Sequence, residues 1–433
     1  MKKLIIRFIL ILILTTCLLF FGTCLASSIF SANGFVEENF GLDNYSIGMG
    51  QTGISSLFRK NLSICNPALN GTVTQANFSS NLIFGYNYFK DNQNEYKDKI
   101  ADIPFIKVII PITKNDFLGF SFLEKYHLEL ETYQNDSIQG INNISTEQDL
   151  IGSINQMGFS YTKKINSPIK SGILVGANLN YNFGNENKEI LIDFNDNEFV
   201  NHFESVVKKY NCLNFSLGFA IPFSKFSLGG YYESTMNMNA DKKYIITYNP
   251  DPDFDYIEIS EKKIKFPSQI GLGIGMQITD YLYAETNYRH SFWKNSTYSG
   301  MFSNVGSTSN NYDRDSKFIS VGLSYIPHKK LFWKIPIRLG GYYKQLPCKK
   351  NDNFIDEKAL TFGLNIPLKV KNKGNITLAL LWGARGNVSK NLYSEEFFKL
   401  SIGFSSVDMW RNPKKFKKDK EIPKLDKKYI IPD

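Results

Sequence analysis

From Gln75 to Met409 apolar residues alternate with small or polar ones, the period-two signature of strands with one greasy face. Leu360, Phe362, Leu364, Ile366 and Leu368 alternate with Ala359, Thr361, Gly363 and Asn365. Leu213, Phe215, Leu217, Phe219 and Ile221 alternate with Asn214, Ser216, Gly218 and Ala220, and the same rhythm runs through 270–278 and 398–405. Successive side chains of a strand point to opposite faces, so each segment carries one apolar face and one small or polar face. Gly271-Leu272-Gly273-Ile274-Gly275 follows this alternation and no helix follows it, so its glycines read as small residues on the polar face and not as a phosphate-binding loop.

The pattern predicts fourteen strands, at 75–90, 103–113, 116–133, 150–165, 169–184, 208–223, 225–240, 260–278, 281–298, 314–328, 332–346, 356–371, 374–390 and 395–409. Their connections alternate. Tight turns such as Lys114-Asn115-Asp116, Ser224-Lys225 and Thr279-Asp280 follow even-numbered strands, and long polar stretches at 134–149, 185–207, 241–259 and 294–313 follow odd-numbered ones. Short turns on one rim and long loops on the other, with an even strand count, predict an all-β fold: a transmembrane antiparallel β-barrel with its short rim in the periplasm. A soluble two-domain β protein is the competing reading. The 35 Phe and 24 Tyr favour the barrel, which places such rings at both membrane interfaces. Pro111, Pro222, Pro327 and Pro367 sit just before short turns, where a residue that cannot donate to the ladder is tolerated.

The N-terminus sets the compartment. Lys2, Lys3 and Arg7 flank an apolar run from Phe8 to Phe21, and small residues at Cys24 and Ala26 follow, which predicts an export signal over 1–26 cleaved after Ala26. An uncleaved anchor is the alternative for the same run, since about 20 apolar residues cross a bilayer. The net charge of +9 is concentrated at the ends. The signal carries +3 and a lysine-rich tail from Arg411 to Asp433 carries +5, so the body is near neutral and holds no basic groove for nucleic acid. The tail follows a periplasmic strand end and is expected to hang there. Cys65, Cys212 and Cys348 are far apart and suggest neither a disulfide framework nor a metal site. His127, His202, His290 and His328 are equally scattered, with no nucleophile elbow, so neither cofactor, metal nor enzyme activity is expected; a surface phospholipase, which needs Ser and His on neighbouring strands, stays open.

The segment 27–74 lies before the first strand and is Gly-, Asn- and Ser-rich. Asn33-Gly34-Phe35, Ser46-Ile47-Gly48-Met49-Gly50-Gln51-Thr52-Gly53 and Asn66-Pro67-Ala68-Leu69 resemble the plug of FadL-type outer-membrane transporters of long-chain fatty acids and other hydrophobic compounds. Phe105 to Phe122 resembles that family's second hairpin, and Phe266-Pro267-Ser268 through Tyr288 to Trp293 resembles a later strand pair. The resemblance implies a fourteen-stranded barrel over 75–410 in outer-membrane lipid, a hatch over 27–74 inside its lumen, and a hydrophobic small-molecule ligand. It also implies ligand or gating roles for Gly34, Phe35, Gly48, Met49, Gly50, Asn66, Pro67 and Ala68. An open lumen leaks, so a folded N-terminal piece inside it makes a gate; an ordinary turn at the barrel mouth is the plainer alternative. The family's kinked third strand implies a lateral opening at Glu124, Lys125 and Tyr126, where Glu124 follows Leu118, Phe120 and Phe122 on one face. The Asn39 to Tyr45 stretch and the tail of 411–433 depart from the pattern. Barrels with the same Gly-Met-Gly and Asn-Pro-Ala signature and a C-terminal extension resemble PorV-type components of type IX protein secretion, the alternative function, in which the tail would meet a periplasmic partner.

Overall fold

The computed structural model describes residues 28–30, 38–41, 43–57, 63–138, 141–166, 172–195, 200–249, 256–298, 312–327, 335–367 and 374–407. The expected export signal, Gly34, Phe35 and the lysine-rich tail lie outside the described residues. The strands are β1 (Asn77–Lys90), β2 (Glu95–Asp102), β3 (Phe105–Pro111), β4 (Asp116–Ile138), β5 (Ile141–Ile165), β6 (Ile173–Asp193), β7 (Asn201–Pro222), β8 (Phe226–Glu233), β9 (Met236–Asn249), β10 (Tyr256–Phe266), β11 (Gln269–Gln277), β12 (Leu282–Ser291), β13 (Ser316–Tyr325), β14 (Ile337–Lys350), β15 (Asn353–Pro367), β16 (Asn375–Gly386) and β17 (Ser394–Val407). All pair antiparallel in one sheet, and β1 closes on β17 from Asn77 opposite Val407 to Lys90 opposite Ser394. Short breaks at 103–104, 234–235 and 267–268 split three crossings, so the seventeen ladder segments make a closed barrel of fourteen crossings.

Burial is inverted relative to a soluble protein. Along β13, Ile319, Val321, Leu323 and Tyr325 are exposed while Ser316, Phe318, Ser320, Gly322 and Ser324 are buried. The apolar face meets lipid and the small or polar face meets the lumen. Leu272, Ile274, Leu339 and Leu360 repeat this around the wall, and the glycines of β11 face inward as the alternation requires. Pro111, Pro222 and Pro367 are the last residues of β3, β7 and β15, on the rim of short turns.

The polar stretches at 134–149, 185–207 and 241–259 are largely strand, which corrects the expectation of long loops. β4 to β7 run for 21 to 25 residues, and β9 and β10 continue at the same height. A tilted strand crosses the apolar band in about ten residues. Beyond that height the outward face meets water and no longer needs to be apolar, so the period-two signal fades although the ladder continues.

Before β1 the chain forms a short helix, α1 (Asn44–Ile47), and a 3-10 turn at Pro67–Thr72 capped by Asn66, whose side chain accepts from the Ala68 amide at 3.0 Å. These pieces touch inward-facing wall residues on strands all round the ring, and wall glycines give them room. A Cβ on Gly176 would lie 2.6 Å from the Ala68 nitrogen, one on Gly229 2.2 Å from the Ile54 oxygen, one on Gly322 2.4 Å from the Met49 oxygen, and one on Gly340 2.3 Å from the Gly50 nitrogen. The backbone of this N-terminal segment therefore lies against the wall backbone at three separate places.

Replacing Gly322 with Val should overpack this contact at a cost of about 1–3 kcal/mol while leaving the strand ladder intact. The variant is expected to keep the faster unheated migration of a folded barrel on a detergent gel, to expose residues 43–57 to added protease, and to admit bulky antibiotics. Protease resistance equal to that of the unaltered protein would contradict the seating role of Gly322.

Candidate functional site

The lumen is filled in three layers. The lowest is formed by residues 43–57 and 63–72 against the wall. Asn66 donates from Nδ2 to the Ile54 and Phe219 carbonyls, both at 2.9 Å, Thr162 donates to the Pro67 carbonyl at 2.6 Å, and Asn70 donates to Ser160 at 2.8 Å. The Gly50 amide donates to Thr361 Oγ1 at 2.7 Å. Glu285, buried on β12, accepts from the Ser55 amide at 3.2 Å and the Ser56 hydroxyl at 2.6 Å. Lys107 Nζ donates to the Ser63 carbonyl. Cys65 stays a thiol, since burial pushes its pKa up to about 12.

Above the plug lies a layer of buried charge. Glu38 accepts from Arg289 at 3.0 Å and from Gln269 at 2.6 Å, with Lys125 Nζ at 3.7 Å. Arg289 also lies over the Phe40 ring, 3.8 Å from its centroid. Lys125 pairs with Glu233, which also accepts from Asn214 at 3.1 Å and Gln156 at 3.3 Å. A second cluster joins Arg385 to Glu357 at 2.8 Å and to Glu395 at 3.4 Å, with Tyr342 donating to Glu357 at 2.6 Å and Ser28 donating to Glu395. Burial pushes the Glu38 carboxyl up, but Arg289, Lys125 and the Gln269 hydrogen bond outweigh it, so its pKa lies below the ordinary carboxylate value.

The top layer is apolar. Tyr126, Leu128, Leu150, Ile154, Tyr210, Met236, Met238 and Phe266 converge from five strands, and Trp293 and Tyr298 fold in from the connection after β12. Phe266 stacks on Tyr298 with centroids 4.7 Å apart. Buried Glu186 accepts the Tyr210 hydroxyl at 2.6 Å and the Tyr298 hydroxyl at 2.8 Å, and Ser296 donates to the Lys265 carbonyl at 2.7 Å, which fixes residues 296–298 over the mouth.

The wall changes where this layer begins. β4 pairs with β3 only up to Leu123 opposite Phe105, and among the described residues no ladder joins β2 to β4 above that point. A bulge between Glu124 and Tyr126 in the β4–β5 ladder switches the inward parity, from Leu123 and Lys125 below to Tyr126, Leu128 and Leu130 above. Glu38 bridges to Tyr126, and the Asn39 amide donates to the Lys125 carbonyl at 2.9 Å, so the plug fills the start of the gap. On the other face of β4, His127 contacts Glu124 at 2.9 Å and Glu129 at 3.5 Å.

Of the residues singled out in the sequence, Gly48, Met49 and Gly50 lie against β13 to β15, Asn66, Pro67 and Ala68 lie against β6 and β7, and Glu124, Lys125 and Tyr126 form the bulge. These are three separate places on the wall. Sequence reasoning missed Glu38, Arg289, Glu233, Glu357, Arg385 and Glu395. The wall residues among them were detectable as charges on the lumen parity of their strands; Glu38 lies in a segment with no periodicity to give it a face.

A family model described as BamG matches residues 1–417. The chain belongs to the BamG family. No curated protein matches it in sequence. Among solved structures, the BamG-family chain is similar to a FadL homologue of Pseudomonas aeruginosa (12% identity, TM-score 0.59, 87% of this chain and 99% of that chain covered). It is also similar to the toluene transporter TodX of Pseudomonas putida (16%, 0.59, 86% and 99%) and to the monoaromatic hydrocarbon channel CymD (14%, 0.57, 87% and 99%). At these identities the likeness shows the fold alone: a FadL-like β-barrel.

Truncating Arg289 to Ala strands Glu38 in the lumen, and breaking such a pair costs about 3–5 kcal/mol. The melting temperature should fall and the plug should become protease-sensitive, whereas Glu38→Gln combined with Arg289→Met should recover most of the loss. A double variant as labile as Arg289→Ala would show that the charge pair is not what holds the segment. Because the folded-state pKa of Glu38 is depressed, its stabilisation is full above the ordinary carboxylate value and is lost as pH falls through the lower folded value. Plug protection should accordingly persist through mild acid and fail only below the ordinary carboxylate range, as proteolysis across a pH series would show.

Proposed function

We propose that this barrel carries hydrophobic small molecules across the outer membrane, capturing them in the apolar upper lumen and releasing them sideways between β2 and β4. The observation that supports it is adjacency: Tyr126 and Leu128, which line the apolar layer, stand on the stretch of β4 that no described ladder joins to β2. An apolar guest gains about 25 cal/mol per Å² of surface removed from water, and stepping from this layer into lipid avoids giving that back to periplasmic water. Straight passage downward would cross the Glu38–Arg289–Lys125 layer and the plug. In this reading Gly48, Met49, Gly50, Asn66, Pro67 and Ala68 hold the gate shut, and the Trp293–Tyr298 strap occupies the capture site until a guest displaces it. Toluene and monoaromatic hydrocarbons are named for TodX and CymD, which share only the fold; long-chain fatty acids and aromatic hydrocarbons are the substrate classes to test.

One observation favours a second reading. The ion-pair residues Arg289, Lys125, Arg385 and Glu395 are buried and the N-terminal segment is fastened at many points, so the barrel also suits a PorV-type role as a sealed component of protein secretion, with the 411–433 tail engaging a periplasmic partner.

The two readings separate on uptake. In a Cys65→Ser, Cys212→Ser, Cys348→Ser background, Asp102→Cys and Glu124→Cys joined by a short bis-maleimide should block uptake of a labelled fatty acid or aromatic hydrocarbon, while the same variant left unjoined remains active and assembles normally. Removing residues 411–433 should leave uptake intact. If liposomes holding the unaltered protein admit neither compound faster than empty ones, transport is wrong; loss of surface delivery of cargo proteins on tail removal would then support the secretion reading.

A further inference from the structure

The outward face of the strand extensions above the membrane does not match either medium it meets. β4 to β7, β9 and β10 continue for roughly ten residues past the apolar band, and the cross-strand register sets their outward side chains in rows. One row places Glu131 opposite Asp149 and Asp149 opposite Glu189, with Glu147 two residues from Asp149 on the same face. Carboxylate oxygens of Glu131, Glu147 and Asp149 all lie within 4.8 Å of one another. Like charges directly opposite on a sheet are destabilising. None of these four carboxylates has a salt bridge among the described residues. The same face carries aliphatic side chains with no need of water: Ile259 is 74% exposed, Ile257 57%, Ile151 53% and Leu191 39%.

Lipid does not account for the face, because the carboxylates repel anionic headgroups and the aliphatic rows lie above the apolar band. A second copy in register would set carboxylates against carboxylates. Beyond Glu189 the face becomes mixed in charge: Lys209 lies opposite Asp241, Asp241 opposite Glu261, and Lys243 opposite Ile259, so the row of carboxylates with no basic group beside it lies on β4–β6 while the aliphatic surface extends to β10. We propose that this extracellular sheet face docks another protein, one whose surface presents lysine or arginine side chains beside aliphatic ones. Basic groups would relieve the repulsion within the acidic row, and aliphatic groups would cover Ile257 and Ile259. The site is outside the lumen, so it stands or falls separately from the transport reading.

The test uses the full chain in nanodiscs and a fluorescent peptide of alternating lysine and leucine, with protein-free nanodiscs as the blank. Binding should weaken with salt, and it should fall about tenfold or more, the scale of losing a charge cluster or an apolar anchor at an interface, in Glu131→Gln/Asp149→Asn/Glu189→Gln and in Ile257→Ser/Ile259→Ser. A photo-crosslinking residue at position 259 in living cells should give one discrete adduct with a foreign protein that disappears in Glu131→Lys/Asp149→Lys. Heat-modifiable migration checks that each variant is folded. Peptide binding unchanged in both variants overturns the proposal, as do adducts confined to lipid, an adduct of twice the chain's own mass, or no adduct at all.

Discussion

Lipid offers no hydrogen bonds, so every backbone amide and carbonyl within the band must find a partner inside the protein, and an orphan costs several kcal/mol. Closure of β1 on β17 meets that demand for most of the chain. The three breaks are where it is not met by the ladder, and each is repaired locally. At 103–104 the Glu124 amide donates to the Pro104 carbonyl at 3.0 Å. At 234–235 the Ser234 amide donates to the Phe215 carbonyl at 2.9 Å, Ser234 Oγ accepts from the Phe215 amide at 3.1 Å, and Asn214 Nδ2 donates to the Ser234 carbonyl at 3.2 Å. At 267–268 the Phe292 amide donates to the Ser268 carbonyl at 3.0 Å. The breaks adjoin the residues of the charge layer: Glu233 precedes one, Gln269 follows another, and Lys125 follows the Glu124 that repairs the third. The wall is irregular at the height of the charge layer, and residues of the neighbouring crossings supply the partners.

The plug is held by two unlike means. Backbone contact at wall glycines is a matter of volume: Gly176, Gly229, Gly322 and Gly340 leave space that any side chain would take, and the contact is short-ranged and sequence-tolerant on the plug side. The charge layer is directional. Glu38 accepts from two donors and Arg289 spends its flat face on Phe40, so a shift of either element leaves a charge without its partner in a poorly hydrated interior. Pairs of this kind contribute little net stability when intact and much instability when broken. Glycine contact lets the plug fit, and the ion pairs fix its register.

The fourteen crossings were legible because lipid imposes one apolar face on every strand, and Leu360 to Leu368 or Leu213 to Ile221 could obey no other period. The same rule explains the misses. In 141–149 and 185–195 the outward face is wet, so Glu147, Asp149 and Glu189 stand where lower crossings carry apolar residues, no greasy stripe forms, and strand read as loop. The breaks at 103–104 and 267–268 carried the right sign in Pro104 and Pro267, but a proline marks an interruption without saying whether the crossing resumes. At the candidate site, Asn66-Pro67-Ala68 and Gly48-Met49-Gly50 were visible as motifs because a cap and close approach demand particular residue types. Glu38 and Arg289 are 251 positions apart, and only closure of the barrel puts them at one height.

The bulge at Glu124 shows how one extra residue reconciles two requirements. Below it, Phe120 and Phe122 face lipid, and the next position of that face is a carboxylate. A regular strand would continue that face into the band and leave Tyr126 pointing away from Phe266 and Trp293. With one residue added, Tyr126 turns inward to meet them, at centroid distances of 5.5 and 6.4 Å. His127 lies between Glu124 and Glu129, at 2.9 and 3.5 Å, and so offsets part of the cost of holding carboxylates near lipid. Among the described residues no ladder joins β4 to β2 above the height where Pro104 ends the β3 ladder, so the apolar layer, the polar cluster and the gap in the ladder meet at the bulge. The rings of Tyr126, Phe266 and Trp293 thus meet on the inner side of the bulge and His127 with its two carboxylates on the outer side, while Glu38 and Asn39 pair with the same stretch of β4 from within the lumen, so one added residue sets the chemistry of both faces.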